Sequence, residues 1–317
     1  MSWTLDRQRV TYGSLSSVPK LQGQFLETFG EQLANRQLPS ETIVKITATA
    51  IGTHWQARQS ASLGAAEDPR LVQRRQQAEA LALQLLLGTY NQLLAVSAAE
   101  VEEALRARAN GSAVDITDSE PQLHLHISAV LRRILPALRI FSKWLKLHLE
   151  HLTRIQRAAP APYIADFWSS YTRLVVALAT LFPIDQLPHL VEPLEEDVDM
   201  RGFTPLAWGM IKGSREEQHD FHPNEEQLMR IADLQVDAKL LAQTAVSCRR
   251  IFFMSIELIA VRCECAQSRH PSSRLARSSV LPRRGKTRRS CVSQHGDRGR
   301  SGQLGYACDA RAEQCGR

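Results

Sequence analysis

Apolar residues recur at helical spacing from Leu21 onward. Leu21, Phe25, Leu26, Phe29 and Leu33 fall at i, i+4, i+5, i+8 and i+12, the stripe of an amphipathic helix. Pro39-Ser40-Glu41 predicts a turn and N-cap feeding Ile43, Val44, Ile46, Ile51 and Trp55. β-Branched residues over 42–51 permit a strand, but the three-to-four spacing favours a helix. Residues 59–70 are small and polar and predict a loop ending at Asp68-Pro69, with the proline at the first position of a new helix. That helix runs to about Val96 with only Gly88 as a breaker. Its run ALALQLLLGTYNQLLAV is apolar nearly all round, which predicts burial between other helices. Ser97 to Glu100 has the form of a capping box and predicts the start of a short charged helix.

Residues 109–121 read as a polar linker. The stretch LHLHISAVLRRILPALRIFSKWLKLHLEHLTRI follows, and Pro136 within it predicts a kink or two helices meeting near Leu135. After a hinge at 158–162, Tyr163 to Phe182 forms another strongly apolar helix. Pro183, Pro188 and Pro193 punctuate a long connection to about Pro223, and Asn224 to Phe253 predicts a last amphipathic helix. There is little strand pattern and no fixed-period repeat. Several helices are too apolar to stand alone, so the expected fold is all-α: stacked antiparallel helical hairpins, α-solenoid-like.

Composition changes this picture only past Val261. Of 39 Lys+Arg and 33 Asp+Glu, 13 and 4 fall between Arg262 and Arg317, so the tail carries +9 and the rest −3. The tail is rich in Arg, Ser and Gly without apolar periodicity and cannot bury enough surface to order itself. The expected division is a disordered N-terminus at 1–18, a helical domain at 19–261 and a disordered basic tail at 262–317. Arg283-Arg284, Lys286 and Arg288-Arg289 read as a nuclear-localisation or RNA-binding patch; alternatively, the tail is translated intron or shifted-frame sequence. Five of six cysteines (Cys263, Cys265, Cys291, Cys308, Cys315) lie in it, leaving Cys248 alone upstream, which argues against a disulfide scaffold and for a reducing compartment, nucleus or cytoplasm. No run of 18 apolar residues predicts a membrane span, and MSWTLDRQRV does not read as a signal peptide.

Candidate chemistry is sparse. No phosphate loop, nucleophile elbow or Cys/His catalytic setting appears, so the expectation is a non-enzyme with no cofactor and no metal. His148 and His151 share a helix face and His124 and His126 do not, but neither pair has an acidic or Cys partner at zinc spacing. Glu195, Glu196, Asp197 and Asp199 cluster without an EF-hand turn; they read either as a cation or acid–base site or as loop carboxylates paired with Arg201 and nearby helix ends. Trp144 and Trp168 are core side chains or base-stacking platforms. Arg132, Arg139, Lys143 and Lys146 fall at i, i+7, i+11 and i+14, with Arg133 beside them. Such a stripe is a solvated face or a track for phosphates, and it is the best nucleic-acid footprint upstream of the tail.

Three segments together carry a family likeness. ILPALRIFSKWLKLHLE at 134–150 contributes Leu135, Pro136, Ala137, Phe141, Trp144 and Leu145. FWSSYTRLVVALATLFP at 167–183 opens with Phe167 and Trp168. LEEDVDMRGFTPL at 194–206 contributes Leu194, Glu196, Asp197, Gly202, Phe203, Pro205 and Leu206, with Glu195 where the family pattern has proline. EEQLMRIADLQVDAKLLA at 225–242 and, more weakly, LQGQFLETFGEQL at 21–33 extend the likeness to roughly 20–255. In order and spacing these resemble the DNA/RNA-binding domain of the family that holds the yeast "ever shorter telomeres" telomerase regulators and the metazoan nonsense-mediated mRNA decay adaptors.

The resemblance implies stacked helical hairpins and a non-enzymatic nucleic-acid-binding adaptor in nonsense-mediated mRNA decay or telomere maintenance. Its implied partners are single-stranded RNA or telomeric DNA and a decay or telomerase protein complex, with no membrane. The family's upstream phosphopeptide-binding domain has no counterpart in this sequence. Two other readings remain at this point: a protein–protein scaffold without nucleic acid, and a truncated product without function.

Overall fold

The computed structural model describes residues 15–62, 68–110, 123–158, 161–190, 192–207, 210 and 221–247. The expectations for 1–14, for residues 111–121 of the linker expected at 109–121, and for everything after Ser247, the basic tail included, lie outside these residues. Every regular element among them is helical, as the periodicity predicts: α1 (Val18–Ala34), α2 (Ser40–Ser62), α3 (Pro69–Ala109), α4 (Ala129–Ala158), α5 (Pro162–Leu181), the short α6 (Glu195–Asp199) and α7 (Pro223–Ser247).

The helix starts follow from local chemistry. Asp68 accepts the Arg70 N–H at 2.9 Å ahead of Pro69, whose missing N–H costs nothing at the first position of α3. Ser128 accepts the Leu131 N–H at 3.1 Å ahead of α4. Leu15–Ser17 is a single 3-10 turn running into α1, so the looseness expected for 1–18 does not hold over its last residues.

α3 is the hub. Its 41 residues, about 60 Å at 1.5 Å each, pack against α1, α2, α4 and α5. Leu83, Leu86, Leu87, Tyr90, Leu93 and Leu94 are all buried, which explains why this helix is apolar on nearly every side. By length and composition it is the one described helix apolar enough to cross a membrane, and half of that stretch is buried against its neighbours. Gly88 is a point of close crossing: a Cβ there would come within 2.6 Å of Leu26 Cδ1 on α1. The capping box expected at Ser97 does not start a helix. Leu94, Ser97, Ala98 and Val101 share one buried face at i, i+3, i+4 and i+7, so packing carries α3 through to Ala109. Likewise α2 extends to Ser62, into the stretch expected to be loop.

α4 is one helix through Pro136, not two. Proline withholds the N–H that would reach the Arg132 carbonyl one turn back, yet packing carries the helix through; one residue on, the Ala137 carbonyl accepts the Tyr90 hydroxyl at 3.1 Å, tying α3 to α4. The long connection after α5 holds α6 between two 3-10 turns, Ile184–Gln186 and Thr204–Leu206. Gly202 adopts a left-handed φ of +78°, which turns the chain after α6 and aims Phe203 back at the core. The Phe203 ring lies 3.6 Å from where a Gly52 Cβ would stand, and Pro205 and Leu206 are buried beneath it. The turn at 204–206 thus packs on both α2 and α4. α7 lies along α4 in the same direction: Arg132 meets Asn224, Arg139 meets Asp233, and Lys146 meets Asp237.

Candidate nucleic-acid interface

Each of the five basic side chains of the α4 stripe has a partner inside the chain. Arg139 places Nη1 2.8 Å from Asp197 Oδ2 and 3.3 Å from Glu196 Oε1, and Nε 2.6 Å from Asp233 Oδ2. Lys143 Nζ lies 2.6 Å from Asp233 and 2.9 Å from Asp237; Lys146 Nζ meets Asp237 Oδ1. Arg132 donates to the Ile127 and His124 carbonyls and to Asn224 Oδ1, bracing the turn before α4 against the start of α7. Arg133 donates to the Arg36 carbonyl at 2.6 Å, tying α4 to the α1–α2 turn.

The acidic half of this network comes from the Glu-Asp motif and from α7. Asp197 Oδ2 accepts the Leu194 N–H at 2.9 Å, closing the N-terminus of α6 while it faces Arg139. Glu196 grips Arg230 in a fork, Nε to Oε1 at 3.0 Å and Nη2 to Oε2 at 2.8 Å, and Glu226 approaches the same guanidinium. The Ser142 hydroxyl donates to Asp237 at 2.8 Å. So the carboxylates of 195–199, a loop feature by sequence, supply two buried anions, and their opposites are Arg139 and Arg230.

Burial alone would raise the Glu196 carboxyl. The hydrogen bonds and charge of Arg230, with the charge of Arg139, outweigh it and hold Glu196 below the usual carboxylate range. The same contest, settled by Arg139 and Lys143, lowers Asp233. Burial works against the charge on Arg139 too, but Glu196, Asp197 and Asp233 raise it above its ordinary value. The set holds Arg139, Lys143, Lys146 and Arg230 against Glu196, Asp197, Glu226, Asp233 and Asp237, so it projects no positive field. Arg139 is 0% exposed and Lys143 is 3% exposed. The expectation that these two track phosphate is therefore corrected: carboxylates far downstream in the chain neutralise them. Lys146, with 28% of its side chain exposed, keeps a solvent face, and Arg132 and Arg133 keep part of one.

The stripe does not end there. Arg154 and Arg157 stand eleven residues, three turns, beyond Lys143 and Lys146, and both are exposed. Arg154 Nη2 lies 3.3 Å from His151 Nδ1. The charge of Arg58, near the end of α2, reaches the same group of histidines. The continuation is legible in the sequence as the same three-turn spacing.

The aromatic residues of the motifs are core, not platforms. Trp144 is fully buried, stacked on Phe141 and on His148, and Trp168 packs with Phe167 and Tyr171. Leu135 and Pro136 are buried on α4 as well. Beside Trp144 three histidines converge from two helices. His54 lies 5.6 Å from His151 and 6.3 Å from His148, centroid to centroid. His151 Nε2 is 3.5 Å from Glu79 Oε1 on α3. Burial, then the charges of the neighbouring histidines and Arg58, lowers His54 to about 3. Burial, then Arg58 and Arg154, lowers His151 to about 4. Both rings are neutral at physiological pH. His54, Glu79 and His151 present ligand atoms that all lie within 4.8 Å of one another, a set that could hold a metal ion and that three helices far apart in sequence bring together.

A family model described as the Est1 DNA/RNA binding domain matches residues 7–208. No curated protein and no solved structure matches the chain.

Proposed function

The chain belongs to the Est1 DNA/RNA binding domain family, and from that membership we propose a non-enzymatic adaptor that holds single-stranded RNA or telomeric DNA by its phosphates. It presents that strand to a protein complex of telomere maintenance or of nonsense-mediated mRNA decay, in the nucleus or the cytoplasm. The family match, which spans α1 to α6 and the Glu-Asp and Gly-Phe motifs, carries the reading.

The geometry supports one mode of binding over another. With Trp144 and Trp168 buried, base stacking on these rings is closed off, and readout through phosphate remains. The contacts come from cations with a solvent face: Arg154 and Arg157, joined by Arg58, with Lys146 and Arg133 nearer the middle of α4. Such binding is sequence-tolerant and weakens steeply with salt. The test is the affinity of the full chain for single-stranded RNA and for telomeric single-stranded DNA at two salt concentrations. Affinity that is absent, or that does not change with salt, rejects the proposal.

One observation favours a scaffold reading alongside it. Val236 and Leu240 leave an apolar strip on the outer side of α7, each 46% exposed. If a protein partner docks there, V236D with L240D abolishes its capture and leaves nucleic-acid affinity unchanged.

A further inference from the structure

We infer that His54, Glu79 and His151 form a binding site for a transition-metal dication, zinc above all, that bolts α2, α3 and α4 together. The inference stands apart from the nucleic-acid reading.

The first argument is unmet hydrogen-bonding capacity. His54 is fully buried, and neither Nδ1 nor Nε2 has a hydrogen-bond partner; His151 Nε2 has none either. A neutral imidazole left this way forfeits the solvation of both nitrogens with nothing in exchange. A metal ion accepts those lone pairs directly.

The second argument is geometry. Zinc binds imidazole nitrogen at about 2.0–2.1 Å, so ligand atoms around a tetrahedral ion stand about 3.3–3.5 Å apart. His151 Nε2 and Glu79 Oε1 already stand at 3.5 Å, and the whole set lies within 4.8 Å. Small side-chain rotations close the remainder. Glu79 is part-exposed, with 20% of its side chain open, and gives the ion a path from solvent and water a route to the fourth position. His148 stands just outside this set. Its Nδ1–H donates to the Trp144 carbonyl at 2.8 Å and its ring stacks on Trp144, which walls the site on one side.

The third argument is chemical class. Two imidazoles and one carboxylate suit zinc, copper, nickel or cobalt and not calcium or magnesium, which seek oxygen. The charges of Arg58 and Arg154 beside the site oppose any ion held by charge alone, so an ion that bonds strongly to nitrogen is selected.

The test uses the metal-stripped full chain, titrated with zinc and separately with cobalt(II) as a spectroscopic probe. One cobalt per chain is expected, with visible bands of nitrogen and oxygen ligation and no thiolate charge-transfer band, which separates this site from the tail cysteines. Zinc is expected to raise the melting temperature. E79Q, at a part-exposed position the fold tolerates, is expected to weaken cobalt binding by at least about tenfold and to remove the zinc-dependent rise in melting temperature, while circular dichroism stays that of the parent. H151Q is the second variant and is expected to do the same. Absence of cobalt binding, binding with a thiolate signature alone, or unchanged affinity in E79Q and H151Q overturns the site.

Discussion

α4 carries one cationic stripe with two fates. Between Arg139 and Lys146 it is roofed by α6 and α7, and its charges end in carboxylates. From Arg154 to Arg157 the same face is open to water. Periodicity is identical in the two stretches. What differs is whether an acidic helix lies across them, and that is decided by Glu196, Asp197, Asp233 and Asp237, residues far away in the chain. A row of arginines at helical spacing is therefore a statement about a face, not about what the face meets. Buried ion pairs of this kind add little net stability over an apolar packing, because desolvation cancels much of the attraction. Their effect here is registry: each cation meets an α7 carboxylate at a fixed step, so α7 cannot slide along α4.

The sharpest way to break this contrast is Arg139→Ala. Removing one partner leaves Glu196, Asp197 and Asp233 facing one another without their shared counter-charge. The expected cost is about 3–5 kcal/mol, read from denaturant unfolding. A loss below about 1 kcal/mol would show that the network is wet and loosely coupled.

Acid probes the same half without a mutation. Glu196 and Asp233 sit below their ordinary values of 4.5 and 3.8 in the folded chain. The folded state thus binds fewer protons than the unfolded one as these groups titrate. Their contribution is complete above those ordinary values and is lost as pH falls through the lower folded values. Unfolding curves measured down a pH series are expected to show that loss, and a variant lacking Arg139 is expected to show a shallower one. An identical slope in both would detach the carboxylates from Arg139.

Phe203→Ala tests what holds the acidic loop in place. Phe203 is half-buried over Gly52, so the cost is expected below that of a fully buried phenylalanine, about 2–3 kcal/mol by thermal unfolding. A negligible cost would mean that Pro205 and Leu206 anchor the loop unaided.

Much of this is legible in the sequence. Leu83 through Leu94 predicts a buried helix because no side of it is polar, and the structure has it. Local rules fail where tertiary packing overrules them. Ser97 to Glu100 has the letters of a helix start but sits on a buried face, and Pro136 interrupts hydrogen bonding without ending α4. The site is harder still. Arg139 and Lys143 look solvated because their carboxylates lie on α6 and α7, far along the chain, and nothing in the local pattern pairs them. His54, Glu79 and His151 belong to three helices, and no ligand spacing in one dimension could join them. Arg154 and Arg157, by contrast, need only the stripe to be followed for three more turns.

Charge reversal at those two positions gives the smallest effect on folding and the most informative one on function. Both side chains are exposed and lie beyond the α7 carboxylates, so Arg154→Glu with Arg157→Glu is expected to move stability by no more than about 0.5 kcal/mol. If phosphates are held here, the doubly reversed chain binds single-stranded RNA and DNA more weakly, to a similar extent across sequences. Its plot of log affinity against log salt is shallower by about 0.7 for each phosphate that the protein no longer neutralises. Lys146→Glu, measured in parallel, places a carboxylate beside Asp237, and its larger effect is expected in unfolding. If affinity instead falls with Lys146→Glu and survives the double reversal, the phosphate contact lies at the solvent face of Lys146, at the edge of the roofed half of the stripe, and not at Arg154 and Arg157.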